Sequence, residues 1–479
     1  MKNSRNWIGG EWIEPTAGEC AVINPSNTKE QVGVLHLSDS SQVIQAEQAA
    51  REAYGSWSGL SGPVRAGHLE RMADFLQSKS DDVANLASME MGKPIAEMRG
   101  EVSRGVNLLR YYAAEGLRAN GAVIPSSEQN VLQFTRKVSL GVAGIITPWN
   151  FPVAIPIWKI APALICGNTV VWKPAELASL TATRLAELFE EAGLPPGVIN
   201  LVIGKGSQIG KAMLEQTPLD AVSFTGSTST GLGIAQICAK RNIKYQTEMG
   251  GKNAAIVLND ADLETAVSLI VSGAFRSAGQ KCTATSRIIV ESGIYDSFIK
   301  KLSYALSNIK LAPALDSEAY LGPVASASQY ETVMSYVHMA SEQADILAQG
   351  PPLSGDQDGY YIRPIVAAGV GAGHPLIQEE IFGPVATVLE AADFDEAVAL
   401  CNQSIYGLSA SLFTQNLSHA HRFLDEARAG MVRVNQETAG VEYQAPFGGM
   451  KLSSSHTREQ GQAALDFFTD LKTCAISYR

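Results

Sequence analysis

The 479-residue chain predicts an α/β protein built on parallel sheets, and three observations carry that expectation. From Val142 onward, short β-rich runs alternate with helical segments, an order that demands right-handed crossovers and parallel strands. The length exceeds one ordinary core, so two or three domains are expected. Apolar residues make up 46% and charged residues 18%, a globular balance that argues against extensive disorder.

Taken in order, Val142–Thr147 reads as a strand, Val153–Cys166 as a helix and Thr169–Lys173 as a strand. Thr181–Ala192 is a helix stopped by Gly193 and Pro195, and Val198–Ile203 is the strand after it. A helix near Gln208–Glu215, a strand at Ala221–Phe224 and a helix near Thr230–Arg241 complete a candidate nucleotide-binding layer. A second alternating region follows: strand Ala254–Leu258, helix Asp262–Ser277, strand Ser286–Val290, and further units to Met431–Asn435. Glu101–Ala114 reads as a helix ahead of both regions. Val131–Val138 and the tail Thr473–Tyr478 alternate without matching helices, which suggests a projecting sheet or pairing with a partner subunit.

The net charge of -11 disfavours nonspecific binding to nucleic acid or anionic membrane. Six scattered cysteines form no CxxC pair and no zinc spacing with histidine, so they read as reduced thiols, and no metal is expected. The start Met1–Trp7 lacks the apolar core of a signal peptide. Val153–Cys166 is too short and too interrupted to span a bilayer. The expected location is the cytoplasm.

Several runs carry chemistry. Phe224-Thr-Gly-Ser-Thr-Ser-Thr-Gly231 joins a predicted strand to a predicted helix, whose N-terminus presents amide donors to a phosphate. It is not GxGxxG, and alone it reads equally as an ordinary βα loop. Lys173 and Glu176 end another strand of the same layer, where they could bond ribose hydroxyls; an isolated pair of this kind is more often solvated. Cys282, in Gly279-Gln-Lys-Cys-Thr-Ala284, sits among small and polar neighbours, so a turn is expected, and Lys281 would lower its thiol pKa. Free cysteine is otherwise usually a buried small hydrophobe. Glu248 precedes Gly250-Gly251, a backbone that can turn and leave the carboxylate facing a cavity, and Asn150 stands between Trp149 and Phe151-Pro152. A soft nucleophile, a base and an amide donor suit chemistry at a carbonyl carbon. A Cys/His dyad has no support in the histidine pattern.

These motifs together resemble the aldehyde dehydrogenase superfamily over essentially the full length. The match runs from Trp7-Ile-Gly-Gly-Glu-Trp12 through PWNFP at 148–152, KPAE at 173–176, FTGSTSTG at 224–231, EMGGK at 248–252, GQKCTA at 279–284, EEIFGP at 379–384 and PFGGMK at 446–451. The resemblance implies a three-part fold: a Rossmann-like cofactor domain (1–118 and 139–249), an α/β catalytic domain (250–445), and a small β oligomerisation flap with the C-terminal segment (119–138 and 446–479). It implies Cys282 as nucleophile, Glu248 as general base, and Asn150 as oxyanion donor beside the Cys282 amide. For the cofactor it implies Lys173 and Glu176 at the adenosine ribose, and Thr147, Trp149, Gly226, Ser227 and Gly231 around the pyrophosphate. It also implies Glu380 at the nicotinamide ribose, with Phe382 beside the ring. NAD is expected because Glu176 should repel a 2′-phosphate, with NADP tolerated through Lys173. A homodimer or homotetramer is implied.

For the substrate, GQKCTATSR at 279–287 and AGVEYQAPFGGMKLSSSHTREQG at 439–461 resemble the bacterial α-ketoglutarate semialdehyde (2,5-dioxopentanoate) dehydrogenases. A substrate ending in a carboxylate needs positive charge in its pocket, and Arg104 and Lys281 are the candidates. Phe151, Trp158 and Tyr443 are candidate tunnel walls, which would equally suit an aromatic or heteroaromatic semialdehyde. Glu248 weighs against a CoA-acylating enzyme, and a thiol esterase is the remaining rival.

Overall fold

Val142–Thr147 and Thr169–Pro174 are almost wholly buried runs of β-branched and small residues, as strands covered on both faces must be. They form the middle of a seven-stranded sheet in the order Lys244–Glu248, Ala221–Thr225, Val142–Thr147, Thr169–Pro174, Ile199–Leu201, Asn6–Ile8, Glu11–Ile13. The first five are parallel, and the last two close the edge antiparallel. From Val142–Thr147 the chain runs outward one way through Ile199–Leu201, then resumes on the other side at Ala221–Thr225. The crevice at the carboxyl ends of these two neighbours is a topological switch point, where open α/β sheets take their ligands. The structure, a computed structural model, describes residues 2–118, 120–353 and 358–478; the expected domain limits 1, 119 and 479 lie outside them.

A second seven-stranded sheet has the order Asp345–Gln349, Ile365–Ala368, Val385–Ala391, Thr285–Glu291, Asn253–Val257, Ser409–Phe413, Met431–Val434. All its pairings are parallel except that of Asp345–Gln349. Its core includes Phe275, Phe298 and Leu302, from the helices Leu263–Phe275 and Tyr295–Ser307.

The two unmatched β segments pair with each other. Thr469–Ser477 runs antiparallel to Val131–Ser139 along nine pairs, from Thr469 against Ser139 to Ser477 against Val131, and Val123–Ile124 adds a short third strand. The tail strand starts at Thr469, four residues earlier than its alternation suggested, because Asp470 and Lys472 lie on an exposed face where polar residues carry no burial signal. The predicted helix to Ser277 stops at Phe275: Ser277 and Ala278 adopt left-handed backbone (φ +57° and +54°). Among the described residues no helix is long and apolar enough to cross a membrane.

Candidate active site

Cys282 occupies a turn between the helix Leu263–Phe275 and the strand Thr285–Glu291, and several bonds fix that turn. Glu97 accepts from the Ser277 amide (2.9 Å) and hydroxyl (2.7 Å), which holds the left-handed pair in place. Gly279 has φ +70°, and a Cβ there would stand 2.2 Å from the Gly383 carbonyl oxygen, so only glycine fits. The Gln280 side chain accepts from the Ala325 amide (3.0 Å), and Asn253 Nδ2 donates to the Cys282 carbonyl (2.8 Å).

Asn150 reaches this turn from the other sheet. It follows the strand Val142–Thr147, is buried, and donates through Nδ2 to the Gln280 carbonyl (2.9 Å). Lys93 donates to the Asn150 carbonyl (2.5 Å) and pairs with buried Glu101 (2.6 Å). Glu101 in turn accepts from the Val153 and Ala154 amides (2.8 and 3.1 Å) at the start of the helix Ala154–Ile165. Asn150 and Cys282 thus line one cleft of about 230 Å³, with Trp149, Gly226, Ser227, Glu380 and Phe382 on its other walls. A wider open groove of about 930 Å³ between the helices Leu263–Phe275 and Tyr295–Ser307 contains none of these residues.

The cleft walls suit a dinucleotide. Ser227 caps the helix Thr228–Arg241, so the first-turn amides of that helix face the crevice. Gly231 is buried under Met249, where a Cβ would stand 2.5 Å from its sulfur. Glu380 accepts from the Gly251 amide (2.9 Å), and a Cβ at Gly250 would stand 2.4 Å from its other oxygen; burial pushes the carboxyl up to about 7. Phe382 packs edge-on to Trp149 at 5.5 Å. Lys173 and Glu176 are not a solvated pair. Lys173 is buried, 3.7 Å from Glu176, which accepts from the Gly206 amide (2.8 Å), and burial lowers the Lys173 pKa. Thr147 is buried, and its hydroxyl accepts from the Trp172 indole (2.9 Å), so it offers the cleft no side chain.

Three expectations require correction. Lys281 does not activate the thiol: its Nζ stands 3.8 Å from Glu97, while burial, then Glu380 and Glu248, push the Cys282 thiol up. Glu248 does not face the cleft of Cys282. Its Oε2 accepts from Ser454 Oγ (2.5 Å) because Met249 is drawn to the Ser453 carbonyl (2.7 Å), aligning the strand end with Ser454. Burial and then Glu459 push the Glu248 carboxyl up, and its Oε1 has no partner among the described residues. Trp158 is no purely apolar wall: its indole donates to Glu459 (2.7 Å) and its ring lies against Phe447 at 5.4 Å.

Of the other substrate candidates, Phe151 lies under Lys93, Tyr443 packs on Tyr111, and Arg104 donates to Gln460 (3.1 Å). Sequence reasoning passed over Ser454 and the buried ion pair of Lys159 with Glu459, to which Ser223 also bonds. Lys159 left a signal, a lone charge inside an apolar helical run; Ser454, one of three consecutive serines, left none.

The family model described as "Aldehyde dehydrogenase family" matches residues 12–474. The chain belongs to the aldehyde dehydrogenase family. Among relatives of this aldehyde dehydrogenase, the alpha-ketoglutaric semialdehyde dehydrogenase of Bacillus subtilis is 48% identical over 475 residues, covering 98% of this chain and 97% of the relative. The alpha-ketoglutarate semialdehyde dehydrogenase of Haloferax volcanii is 39% identical over 480 residues, covering 99% of each. Among solved structures, betaine aldehyde dehydrogenase from Staphylococcus aureus in complex with NAD+ superposes with a TM-score of 0.95 at 34% identity, covering 99% of this chain and 95% of that one. The expected aldehyde dehydrogenase fold agrees with that superposition.

Proposed function

We propose that this aldehyde dehydrogenase oxidises a carboxylated semialdehyde, of the α-ketoglutarate semialdehyde class, to the dicarboxylic acid with NAD. The observation that carries this reading is the meeting of Asn150 and Cys282 at one end of a cleft walled by Gly226, Ser227, Glu380 and Phe382. Cys282 adds to the aldehyde carbon as its thiolate, the thiol proton having passed to water. The side-chain amide of Asn150 and the backbone N–H of Cys282 stabilise the oxyanion. When bound, NAD would accept the hydride at its nicotinamide; Glu380 would hold the nicotinamide ribose, and Lys173 and Glu176 the adenosine end. The cysteine is left acylated, Glu248 turns from Ser454 and takes a proton from water, and the hydrolysed thioester leaves as the acid.

The carboxylated substrate rests on two supports: the two relatives named above, and Arg104. Its half-buried guanidinium pairs with no acidic side chain among the described residues, whereas Lys281 is paired with Glu97. We also assign the sheet of Thr469–Ser477 and Val131–Ser139 to assembly of a homo-oligomer. An aldehyde panel read by NADH formation without CoA tests the reading. Full turnover of α-ketoglutarate semialdehyde is expected, and dependence on added CoA would overturn it.

A further inference from the structure

Beyond the nucleophile, on the side away from the cofactor cleft, Cys282 packs against the cluster of Leu408, Met431 and Phe447. Phe447 is bridged to Glu459 by two backbone hydrogen bonds (2.6 and 2.7 Å). The next residue, Gln460, is fully buried and left-handed, with φ +58°. Gly461 follows at φ +51°, and a Cβ there would stand 2.6 Å from the Gln444 carbonyl oxygen, so glycine allows this second left-handed step. A glutamine held in this conformation marks a backbone shaped for its side chain rather than for its own comfort.

That side chain meets Arg104 on the helix Ile95–Glu115: Gln460 Oε1 accepts from the guanidinium at 3.1 Å. Two buried donors in this pair have no partner among the described residues, Arg104 Nε and Gln460 Nε2. Buried donors are ordinarily satisfied, and leaving one on each member of a bonded pair is costly unless a ligand answers them. The neighbouring acids do not. Glu101 is committed to Lys93 and to two backbone amides, and Glu442 is exposed. Arg433 spends its guanidinium on the carbonyls of Glu437, Ala439 and Gly440. A group that answers an unpartnered guanidinium N–H and an unpartnered amide N–H is a carboxylate, which accepts only and has two oxygens.

We propose that Gln460 is a specificity residue: it positions Arg104 through Oε1 and adds its own N–H, so that the pair forms a receptor for the carboxylate at the far end of the aldehyde. This rests on the carboxylated-substrate reading above. The lone Arg104 would be a weaker receptor, because its long side chain would be free to turn away.

The test compares α-ketoglutarate semialdehyde with pentanal in steady state, at saturating NAD, for the full-length enzyme and two variants. Gln460→Glu places a carboxylate on Arg104 and removes the second donor; the ratio of kcat/KM between the two aldehydes should fall about 100-fold, mostly through KM of the charged one. Gln460→Asn, whose amide tolerates left-handed backbone but cannot reach as far, should lower the ratio by about 10-fold, and it carries the test if the first variant does not fold. Equal losses on both aldehydes, or a ratio within about twofold of the unaltered enzyme, would overturn the receptor. An unaltered enzyme without preference for the charged aldehyde overturns the substrate reading and the receptor together. A preference that survives both substitutions overturns the receptor alone.

Discussion

The Glu248 carboxyl and the Cys282 thiol are both held above their ordinary pKa ranges. Burial raises each, and neighbouring carboxylates raise each further: Glu459 for the carboxyl, Glu380 and Glu248 for the thiol. A raised carboxyl becomes a base only as pH climbs through its raised value, so acyl-enzyme hydrolysis should accelerate with pH where an ordinary glutamate would already be ionised. The Ser454 hydroxyl favours the ionised form by donating to Oε2. Ser454→Ala should therefore move the rising limb of the kcat–pH profile to higher pH; a shift to lower pH would contradict this account of Glu248. Beside Lys173, Glu176→Gln removes the charge we propose to face a 2′-phosphate. NADP should gain about tenfold in kcat/KM relative to NAD, and an unchanged ratio would remove Glu176 from the discrimination. The motif residues were legible individually because their types are chemically rare in such runs. The partners were not: nothing in the sequence joins Lys281 to Glu97 instead of to the thiol, since that pairing depends on a helix 184 positions earlier in the chain.

Between elements, the site is assembled by buried polar contacts that no periodicity reports. Lys93 and Glu101 tie the helix Ile95–Glu115 to the Asn150 loop and to the start of the helix Ala154–Ile165. Removing one member leaves the other charge buried and alone, so Lys93→Met should cost about 3–5 kcal/mol in reversible denaturant unfolding, far more than a surface pair. A loss near zero would mean the pair is solvated. The strands and helices read between Val142 and Val290 were legible from alternation and apolar periodicity, to within a few residues at their ends, whereas the helices Ser40–Ser58, Gly62–Ser78 and Ser80–Met91 were not read. The early stop at Phe275 was not legible, because Ser277 and Ala278 are not residues that announce left-handed backbone; Glu97 holds them there from another helix.

For the whole molecule, two mainly parallel sheets meet at the cleft, and Cys282 comes from the side of one while Asn150 comes from the side of the other. The sheet of Val123–Ile124, Val131–Ser139 and Thr469–Ser477 leaves Leu471 and Ile476 exposed along its last strand. An exposed strand with apolar side chains calls for a cover, and we propose that a second copy supplies one. Light scattering should give a particle of at least twice 51.0 kDa, and Leu471→Lys with Ile476→Lys should shift it toward the monomer. A monomeric native particle would refute the assignment of this sheet. On the proposed route the aldehyde is oxidised on Cys282, and water activated by Glu248 releases the acid from the thioester. The most direct measurement of this route is a rapid-mixing experiment on Glu248→Gln with α-ketoglutarate semialdehyde and NAD, followed by peptide mass spectrometry. The account predicts one NADH per subunit in a burst, with the acyl group on the peptide containing Cys282, and steady turnover slowed roughly 10²–10⁴-fold. Undiminished steady turnover, or an acyl group on any other residue, would contradict it.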